Sequence, residues 1–197
     1  MSFVRLAVPA ALLCGFLGTA AAADSSLLVR VRAVHIAPDV STSPDIDADV
    51  SNKTIPEVDI SYFFMPNLAV ELILTYPQKH DVTVGGDRIG SVKHLPPTLT
   101  LQYHLPLANG FKPYAGVGFN YTRFMDADLA DGSLDVDKSS FGFAYQLGLD
   151  FAISKNMTLN LDVKKVRMST DVKAGGATVT DLSIDPLLLG VGVGWYF

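Results

Sequence analysis

Cysteine is nearly absent from the sequence. The only cysteine among the 197 residues is Cys14, so none follows residue 23. Disulfide bonds are therefore excluded as a source of stability for the rest of the chain. A lipoprotein is excluded as well, because Leu13 stands where a small residue would have to precede the modified cysteine.

Long apolar runs are absent beyond the amino terminus. No segment after residue 23 reaches the roughly 18 uninterrupted apolar residues that indicate a membrane-spanning helix. Yet hydrophobic residues make up 49% of the chain and the mean hydropathy is +0.30, which is high for a soluble protein. High hydropathy without helical spans predicts a β-barrel, in which apolar residues occupy one face of each strand.

An excess of basic charge is also missing. The formal net charge is −5 and the isoelectric point is near 5.2. A nucleic-acid partner would require a basic face, so none is expected. No linker, low-complexity run or coiled-coil heptad divides the chain, and its length predicts one domain.

The first 23 residues predict a secretory signal peptide. Arg5 supplies the positive start, residues 6–17 form a short apolar core, and residues 21–23 offer an Ala-x-Ala cleavage site before Asp24. The apolar core is shorter than the roughly 20 residues of a spanning helix. The folded domain is therefore expected to cover residues 24–197 and to lie outside the cytoplasm.

Eight segments alternate apolar and polar residues with the period of a β-strand. They cover residues 27–37, 54–64, 68–77, 95–105, 112–124, 139–153, 157–168 and 182–197. The last has a bulky face, an aromatic pair and a terminal Phe197. This ending is typical of the closing strand of an outer-membrane barrel and of the signal read by the barrel-insertion machinery. Taken alone, the same strand would also fit the buried edge of a soluble sandwich.

Short and long connections alternate strictly between these segments. Three are short and rich in turn residues (65–67, 106–111 and 154–156), and four are long (38–53, 78–94, 125–138 and 169–181). Bacterial barrels have short periplasmic turns and longer extracellular loops in this order. The predicted fold is an all-β, eight-stranded antiparallel transmembrane β-barrel of the bacterial outer membrane, in contact with membrane lipids and lipopolysaccharide.

Charged residues of these strands are assigned to the lumen, because lipid accepts charges poorly. The predicted polar plug of the lower lumen consists of Arg30, Arg32, Glu57, Asp59, Glu71, His104, Asp150, Asp162 and Lys164. An eight-stranded barrel is just wide enough for side chains to fill its interior, so this set is expected to close the lower half. For any one of these residues, a purely packing role that keeps inward charges paired explains the pattern equally well.

The upper lumen is predicted to be an apolar cup. Its expected lining is Val34, Ile36, Ile55, Ile73, Gly116, Gly118, Val166, Met168, Ile184, Leu188, Gly190 and Gly192. The glycines either leave room for a ligand or mark close packing and strand bends, which is their common role in strands. If they leave room, Gly118→Phe or Gly192→Phe should block the lumen without preventing membrane insertion.

This division of the lumen predicts a porin-like channel for passive uptake of small hydrophobic molecules. A solute would enter the cup from outside, stop at the plug and leave sideways into the bilayer, where apolar burial is worth ~25 cal/mol per Å². Pro96, Pro97 and Pro186 lack ladder donors, and they either open the wall or only start strands. The alternative function is a structural or receptor barrel whose loops bind external partners.

Residues for enzyme or metal chemistry do not converge in the sequence. His35 is expected to point outward and His104 to lie low in the lumen, and no serine–histidine–carboxylate set forms. An enzymatic activity and a cofactor are therefore not expected. His80, Asp81 and His94 share one long connection, which fits a solvated loop better than a metal site, so no metal is assigned.

Six stretches of the sequence together resemble the OmpW/AlkL family of outer-membrane proteins. They read VDISYFFMPNLAVEL, PPTLTLQYHL, KPYAGVGFNYTRF, YQLGLDF, LNLDVKKV and IDPLLLGVGVGWYF. The resemblance implies an eight-stranded barrel with a hydrophobic inner channel, passive uptake of small hydrophobic molecules and, in some members, a role as bacteriocin receptor. The chain departs from the family at Leu27-Leu28, where a Trp is frequent, and at Trp195-Tyr196-Phe197, where a basic residue usually precedes Phe.

Overall fold

Fifteen strands form one continuous sheet in the computed structural model, which describes residues 26–197. The strands are β1 (Leu27–Ala37), β2 (Val40–Ser43), β3 (Ala48–Val50), β4 (Lys53–Met65), β5 (Leu68–Thr75), β6 (Gln78–Val84), β7 (Asp87–Leu95), β8 (Thr98–His104), β9 (Phe111–Leu129), β10 (Leu134–Val136), β11 (Ser139–Ala152), β12 (Met157–Val166), β13 (Ser169–Ala174), β14 (Ala177–Ile184) and β15 (Leu187–Tyr196). Two short 3₁₀ turns cover Ala108–Gly110 and Ala130–Gly132. The predicted signal peptide lies outside the described residues.

Strands β1, β4, β5, β8, β9, β11, β12 and β15 close into an antiparallel barrel. Closure is made by β15, whose Val193 lies opposite Val31 of β1 on one side and opposite Leu159 of β12 on the other. A closed barrel has no free edge at which another strand could pair. The predicted eight-stranded fold is confirmed.

The outer face of the barrel carries a band of exposed apolar side chains. Leu101, Val117, Leu147, Leu161 and Val191 are each about half exposed or more. Exposed aromatic side chains border this band at both ends: Tyr62, Phe64, Tyr103 and Phe197 at the end with the short turns, and Tyr76, Tyr121 and Phe141 at the other. Such a band with aromatic girdles is the outer surface of a transmembrane barrel. In the described part of the chain, no helix is both long and apolar enough to cross a membrane.

The four long connections, predicted as extracellular loops, contain regular secondary structure of their own. Each forms strands, and β9 continues to Leu129, well past the predicted end at Phe124. Two of the hairpins turn on glycine pairs with positive φ: Gly85 (58°) and Gly86 (85°), and Gly175 (56°) and Gly176 (87°). Two-residue hairpin turns of this type require positive φ at both positions, which glycine adopts without strain.

These hairpins extend the sheet beyond the barrel as a further set of strands, which we call the collar. The collar consists of β2, β3, β6, β7, β10, β13, β14 and residues 125–129 of β9, joined in the orders β9–β10–β13–β14–β2 and β9–β7–β6–β3. Its inner face holds an apolar cluster of Val50, Val82 and Leu129. The upper barrel holds a separate cluster of Val34, Ile36 and Ile55, with Leu188 packed against it.

Candidate functional site

The lower lumen is filled by a network of buried ion pairs centred on two arginines of β1. Arg30 is fully buried and contacts three carboxylates, at 2.8 Å (Asp59), 2.7 Å (Asp150) and 3.4 Å (Glu71). The two contacts with Asp150 form a bidentate pair, at 3.2 Å to Nε and 2.7 Å to Nη2. These bonds tie β1 to β4, β5 and β11 across the bore of the barrel.

Arg32 and Lys164 extend the network upward. Arg32 lies 3.0 Å from Glu57, 2.5 Å from Asp59, 3.0 Å from Glu71 and 3.3 Å from Asp162. Lys164 adds contacts of 2.7 Å to Glu57 and 3.2 Å to Asp162. Buried charges require this degree of pairing, because an unpaired charge in the interior is strongly destabilising.

His104 lies at the lower boundary of this set. It is buried, its Nε2 lies 2.9 Å from the amide oxygen of Gln102, and its ring stacks on that of Tyr114 at a centroid distance of 4.8 Å. The structure thus brings all nine residues predicted for the plug into the lumen, with every side chain almost completely buried.

Tyr114 is a member of the network that the sequence analysis missed. Its hydroxyl donates to Asp162 at 2.8 Å and accepts from Asn160 at 3.0 Å, and the Arg30 guanidinium lies 5.1 Å from its ring centre. A Cβ at Gly148 would stand 2.1 Å from the Tyr114 ring, so this glycine makes room for the aromatic side chain. Tyr114 shares the parity of the inward-facing Gly116, and this signal could have found it.

Above the plug, the collar encloses an apolar chamber of about 310 Å³. Its aliphatic lining comes mainly from Val50, Val82, Val84, Ile89, Val92, Leu129, Leu134, Val136, Val172, Leu182 and Ile184. Of the predicted cup, Ile36, Met168 and Ile184 line this chamber. Most of the lining therefore comes from the long connections, where the sequence predicts no site residues.

A smaller pocket of about 40 Å³ lies between the chamber and the plug. Ile36, Ile55, Ile73, Val166, Met168 and Leu188 of the predicted cup line it, and Glu57 and Lys164 of the plug border it. Val34 is fully buried in the cluster with Ile36 and Ile55. Four residues line both cavities and form the neck between them: Ile36, His94, Met168 and Pro186.

The predicted glycines do not provide the open space of the cup. A Cβ at Gly118 would stand 2.0 Å from the carbonyl oxygen of Leu99, and one at Gly192 would stand 2.2 Å from that of Val31. Cβ positions at Gly116 and Gly190 would also contact neighbouring side chains, at 3.1 Å and 3.4 Å. These glycines permit close packing in the wall, so the substitutions Gly118→Phe and Gly192→Phe would disturb the wall itself.

His80 and His94 do not lie in a solvated loop, contrary to the prediction. Both line the chamber, and their rings stack at a centroid distance of 5.1 Å. Desolvation lowers the pKa of His80 below its usual value, and desolvation together with the nearby His80 and Lys53 lowers the pKa of His94 to about 4. Asp81 faces the exterior, where it pairs with Arg88 at 2.8 Å.

The prolines singled out in the sequence differ in their effect on the wall. At Pro186 the wall is continuous, because its carbonyl accepts from the Val166 amide at 3.2 Å. Beside Pro96 and Pro97, the ladder between β5 and β8 stops at the pair Ile73–Thr98, and the ladder between β6 and β7 starts only at Gln78–His94. The wall is therefore interrupted at this junction.

Tyr76 and Pro77 lie at the centre of the interruption. On their other side, β4 pairs with β5 only as far as Glu57–Thr75, so within residues 26–197 neither residue has a ladder partner on either side. Both side chains are exposed. The lower pocket lies directly behind them, since Thr75, Gln78, His94 and Pro96 all line it.

Backbone pairing in the wall is interrupted a second time, in the collar. Phe124 and Val136 line the chamber on one side and an outer cleft of about 450 Å³ on the other. The backbone bond from Phe124 to Lys138 is followed by a gap, and β9 and β10 meet again only at Leu129–Leu134. Charged residues such as Asp126 and Lys138 border the cleft, so it faces a polar environment.

A closed barrel with an apolar outer band, aromatic girdles and an ionic lumen defines a transmembrane β-barrel. The model of the OmpW family matches residues 23–197, and the chain belongs to this family. It is an outer-membrane protein of a bacterium, as its relatives are.

Two relatives and one solved structure illustrate the similarity. The uncharacterized outer-membrane protein y4mB of Sinorhizobium fredii is 40% identical over 188 residues, covering 90% of this chain and 82% of that protein. Outer membrane protein AlkL of Ectopseudomonas oleovorans is 32% identical over 165 residues, covering 78% and 70%. The crystal structure of OprG from Pseudomonas aeruginosa superposes with a TM-score of 0.75 at 28% identity, covering 88% of this chain and 97% of that one.

Proposed function

We propose that this barrel carries small hydrophobic molecules passively across the outermost part of the outer membrane. The observation that carries the proposal is the change within one lumen from an apolar chamber of about 310 Å³ to a completely packed ionic network. An apolar solute is stabilised in the chamber by burial of its surface. It cannot pass the network without separating buried ion pairs.

The collar faces the cell exterior in this proposal. The three short turns lie at the opposite end of the barrel, and bacterial barrels place short turns in the periplasm. Solutes then reach the chamber from outside, through the collar. The outer cleft behind Phe124 and Val136 supports entry from the side, at the level of the lipopolysaccharide.

The exit leads sideways into the bilayer at Tyr76 and Pro77. Support comes from the interrupted ladder on both sides of this segment and from the lower pocket behind it. Tyr76 belongs to the aromatic girdle, which marks the boundary of the hydrocarbon region. A solute that passes the neck therefore reaches the wall where the fewest backbone bonds have to open.

Uptake by whole cells tests the pathway. Cells with and without the protein are compared for uptake of a radiolabelled small apolar compound, at matched outer-membrane levels. Met168→Trp places a large side chain in the neck, and Leu161→Trp is its matched control on the lipid-facing surface. We expect the protein to raise uptake, Met168→Trp to abolish the rise and Leu161→Trp to preserve it. No rise across several compounds, with the barrel confirmed in the membrane, would favour the structural or receptor function instead.

The exit is tested with single cysteines, since no cysteine follows residue 23. Tyr76→Cys and its control Tyr121→Cys replace girdle residues of similar exposure, 47% and 49%. A bulky, membrane-soluble thiol reagent should slow uptake through Tyr76→Cys several-fold and leave Tyr121→Cys unchanged. Equal effects at both positions would contradict an exit at Tyr76.

A further inference from the structure

The chamber contains a buried hydrogen-bond acceptor that no donor from residues 26–197 reaches. The His80 side chain is 3% exposed and lines the chamber. Its Nδ1 lies 2.8 Å from the carbonyl oxygen of Ser51. Because a carbonyl only accepts, Nδ1 carries the hydrogen and Nε2 carries a free lone pair. Within residues 26–197, Nε2 has no hydrogen-bond partner.

The lower pocket contains a second acceptor of the same kind. The Gln78 side chain is 1% exposed, lines this pocket and donates from Nε2 to the Thr75 hydroxyl at 3.1 Å. The Thr75 hydroxyl in turn donates to the carbonyl of Pro56 at 3.4 Å, which fixes the direction of the chain of hydrogen bonds. The amide oxygen of Gln78 is left buried and without a partner in the described part of the chain.

The two acceptors follow each other along the proposed route. Gln78 and His80 are two residues apart in β6, so both side chains point to the inside of the wall. His80 serves the chamber and Gln78 the pocket below the neck. A buried polar atom without a partner is destabilising, and such atoms are uncommon in native proteins. Two of them with the same polarity in successive cavities point to a ligand that supplies the donor.

We infer that the solute is a small apolar molecule bearing one neutral hydroxyl group, such as an aliphatic alcohol or a phenol. This inference rests on the proposed function and names its solute class. The hydroxyl donates to His80 Nε2 while the apolar body occupies the aliphatic lining, and beyond the neck it donates to the Gln78 amide oxygen. An ammonium group is disfavoured because a charge is strongly destabilised in an apolar cavity. A carboxylate is disfavoured for the same reason and because it offers only acceptors.

Binding of a matched pair of probes to the purified full-length protein tests the inference. The two probes, para-cresol and para-xylene, have the same shape, and a methyl group in one replaces the hydroxyl of the other. His80→Phe removes the acceptor and keeps a ring against His94, whereas His80→Gln restores an acceptor. Val92→Leu is the control in the same chamber wall. Calorimetric titration measures each affinity, and comparing each variant with the parent cancels differences in detergent partitioning.

We expect His80→Phe to weaken para-cresol binding about fivefold to tenfold, the effect of one hydrogen bond, and to leave para-xylene within about twofold. His80→Gln should recover most of the lost affinity, and Val92→Leu should change the affinities for the two probes by the same factor. An equal loss for both probes, or equal losses in the Phe and Gln variants, would overturn the inference while leaving the uptake proposal intact. Failure of the parent protein to bind either probe would overturn both.

Discussion

The two halves of the lumen share one wall but differ in how far their side chains reach. Below, Arg30 and Arg32 of β1 span the bore and contact carboxylates on β4, β5, β11 and β12. Above, the inward residues are mostly Val, Ile, Leu and Thr, which end close to the wall and leave about 310 Å³ between them. An eight-stranded barrel is just wide enough for side chains to fill its interior, and the long side chains of the plug do so, whereas the collar above it is lined by shorter side chains. Side-chain length thus distinguishes the plug, which blocks the lumen, from the chamber, which leaves space for a ligand.

The largest effect is expected from breaking the barrier. Arg30→Met removes one cation and leaves Asp59, Asp150 and Glu71 buried with fewer partners. Removing one partner from a buried ionic network typically destabilises a protein by ~3–5 kcal/mol. The free energy of unfolding in urea, followed in detergent micelles, measures the loss. A loss no larger than that of a surface substitution would mean that the lower lumen is not held by its charges.

A second prediction concerns packing within the plug. Gly148→Val places side-chain atoms where the Tyr114 ring lies, and overpacking of this kind typically costs ~1–3 kcal/mol. Combining it with Tyr114→Ala removes the collision, so the double variant should be less destabilised than the sum of the two single variants. Urea unfolding of all four proteins gives the coupling. If the losses in the free energy of unfolding simply add, the Tyr114 ring moves away from the side chain introduced at position 148 at no measurable cost.

The location of the plug was predictable from the sequence, because strand periodicity and the exclusion of charge from lipid both assign its residues to the lumen. Period two assigns each residue to a face, and lipid excludes charge, so Arg30, Asp59 and Lys164 could be placed in the lumen before their contacts were known. The collar was missed because the alternation of short and long connections favoured extracellular loops there, although β6, β7 and β14 are as long as β5 and β8 of the barrel. The glycine pairs Gly85-Gly86 and Gly175-Gly176 were the available signal for hairpins.

The remaining features depend on neighbours that a single sequence does not provide. Whether Gly118 opens space depends on how close Leu99 of the adjacent strand lies. Whether His80 is solvated depends on the pairing of β6 with β3 and β7. Register across strands determines both, and the sequence defines the facing of each strand more directly than its register.

The chamber is expected to respond to mild acid. The pKa of His94 falls from the usual 6.5 to about 4 in the folded protein, so as the pH drops the unfolded state takes up the proton first. The stability of the β6–β7 hairpin should therefore be fully present above pH 6.5 and decline between pH 6.5 and 4. Hydrogen exchange of the hairpin amides measures this decline. His94→Phe, which keeps a ring between His80 and Phe124, should reduce it; an unchanged pH profile would assign the effect to other groups.

The smallest effect is expected at an ion pair outside the lumen. Arg88 contacts Asp81 at 2.8 Å, as close as Arg30 lies to Asp59, but the two side chains of this outer pair are 57% and 52% exposed. Exposed pairs contribute only ~0–1 kcal/mol because water and salt screen the two charges. Arg88→Met should therefore lower the free energy of unfolding by a small fraction of the loss in Arg30→Met, and added salt should reduce the difference from the parent protein further. Similar losses in the two variants would show that burial does not set the energetic weight of charge pairs in this barrel, and the distinction between its plug and its outer surface would fail.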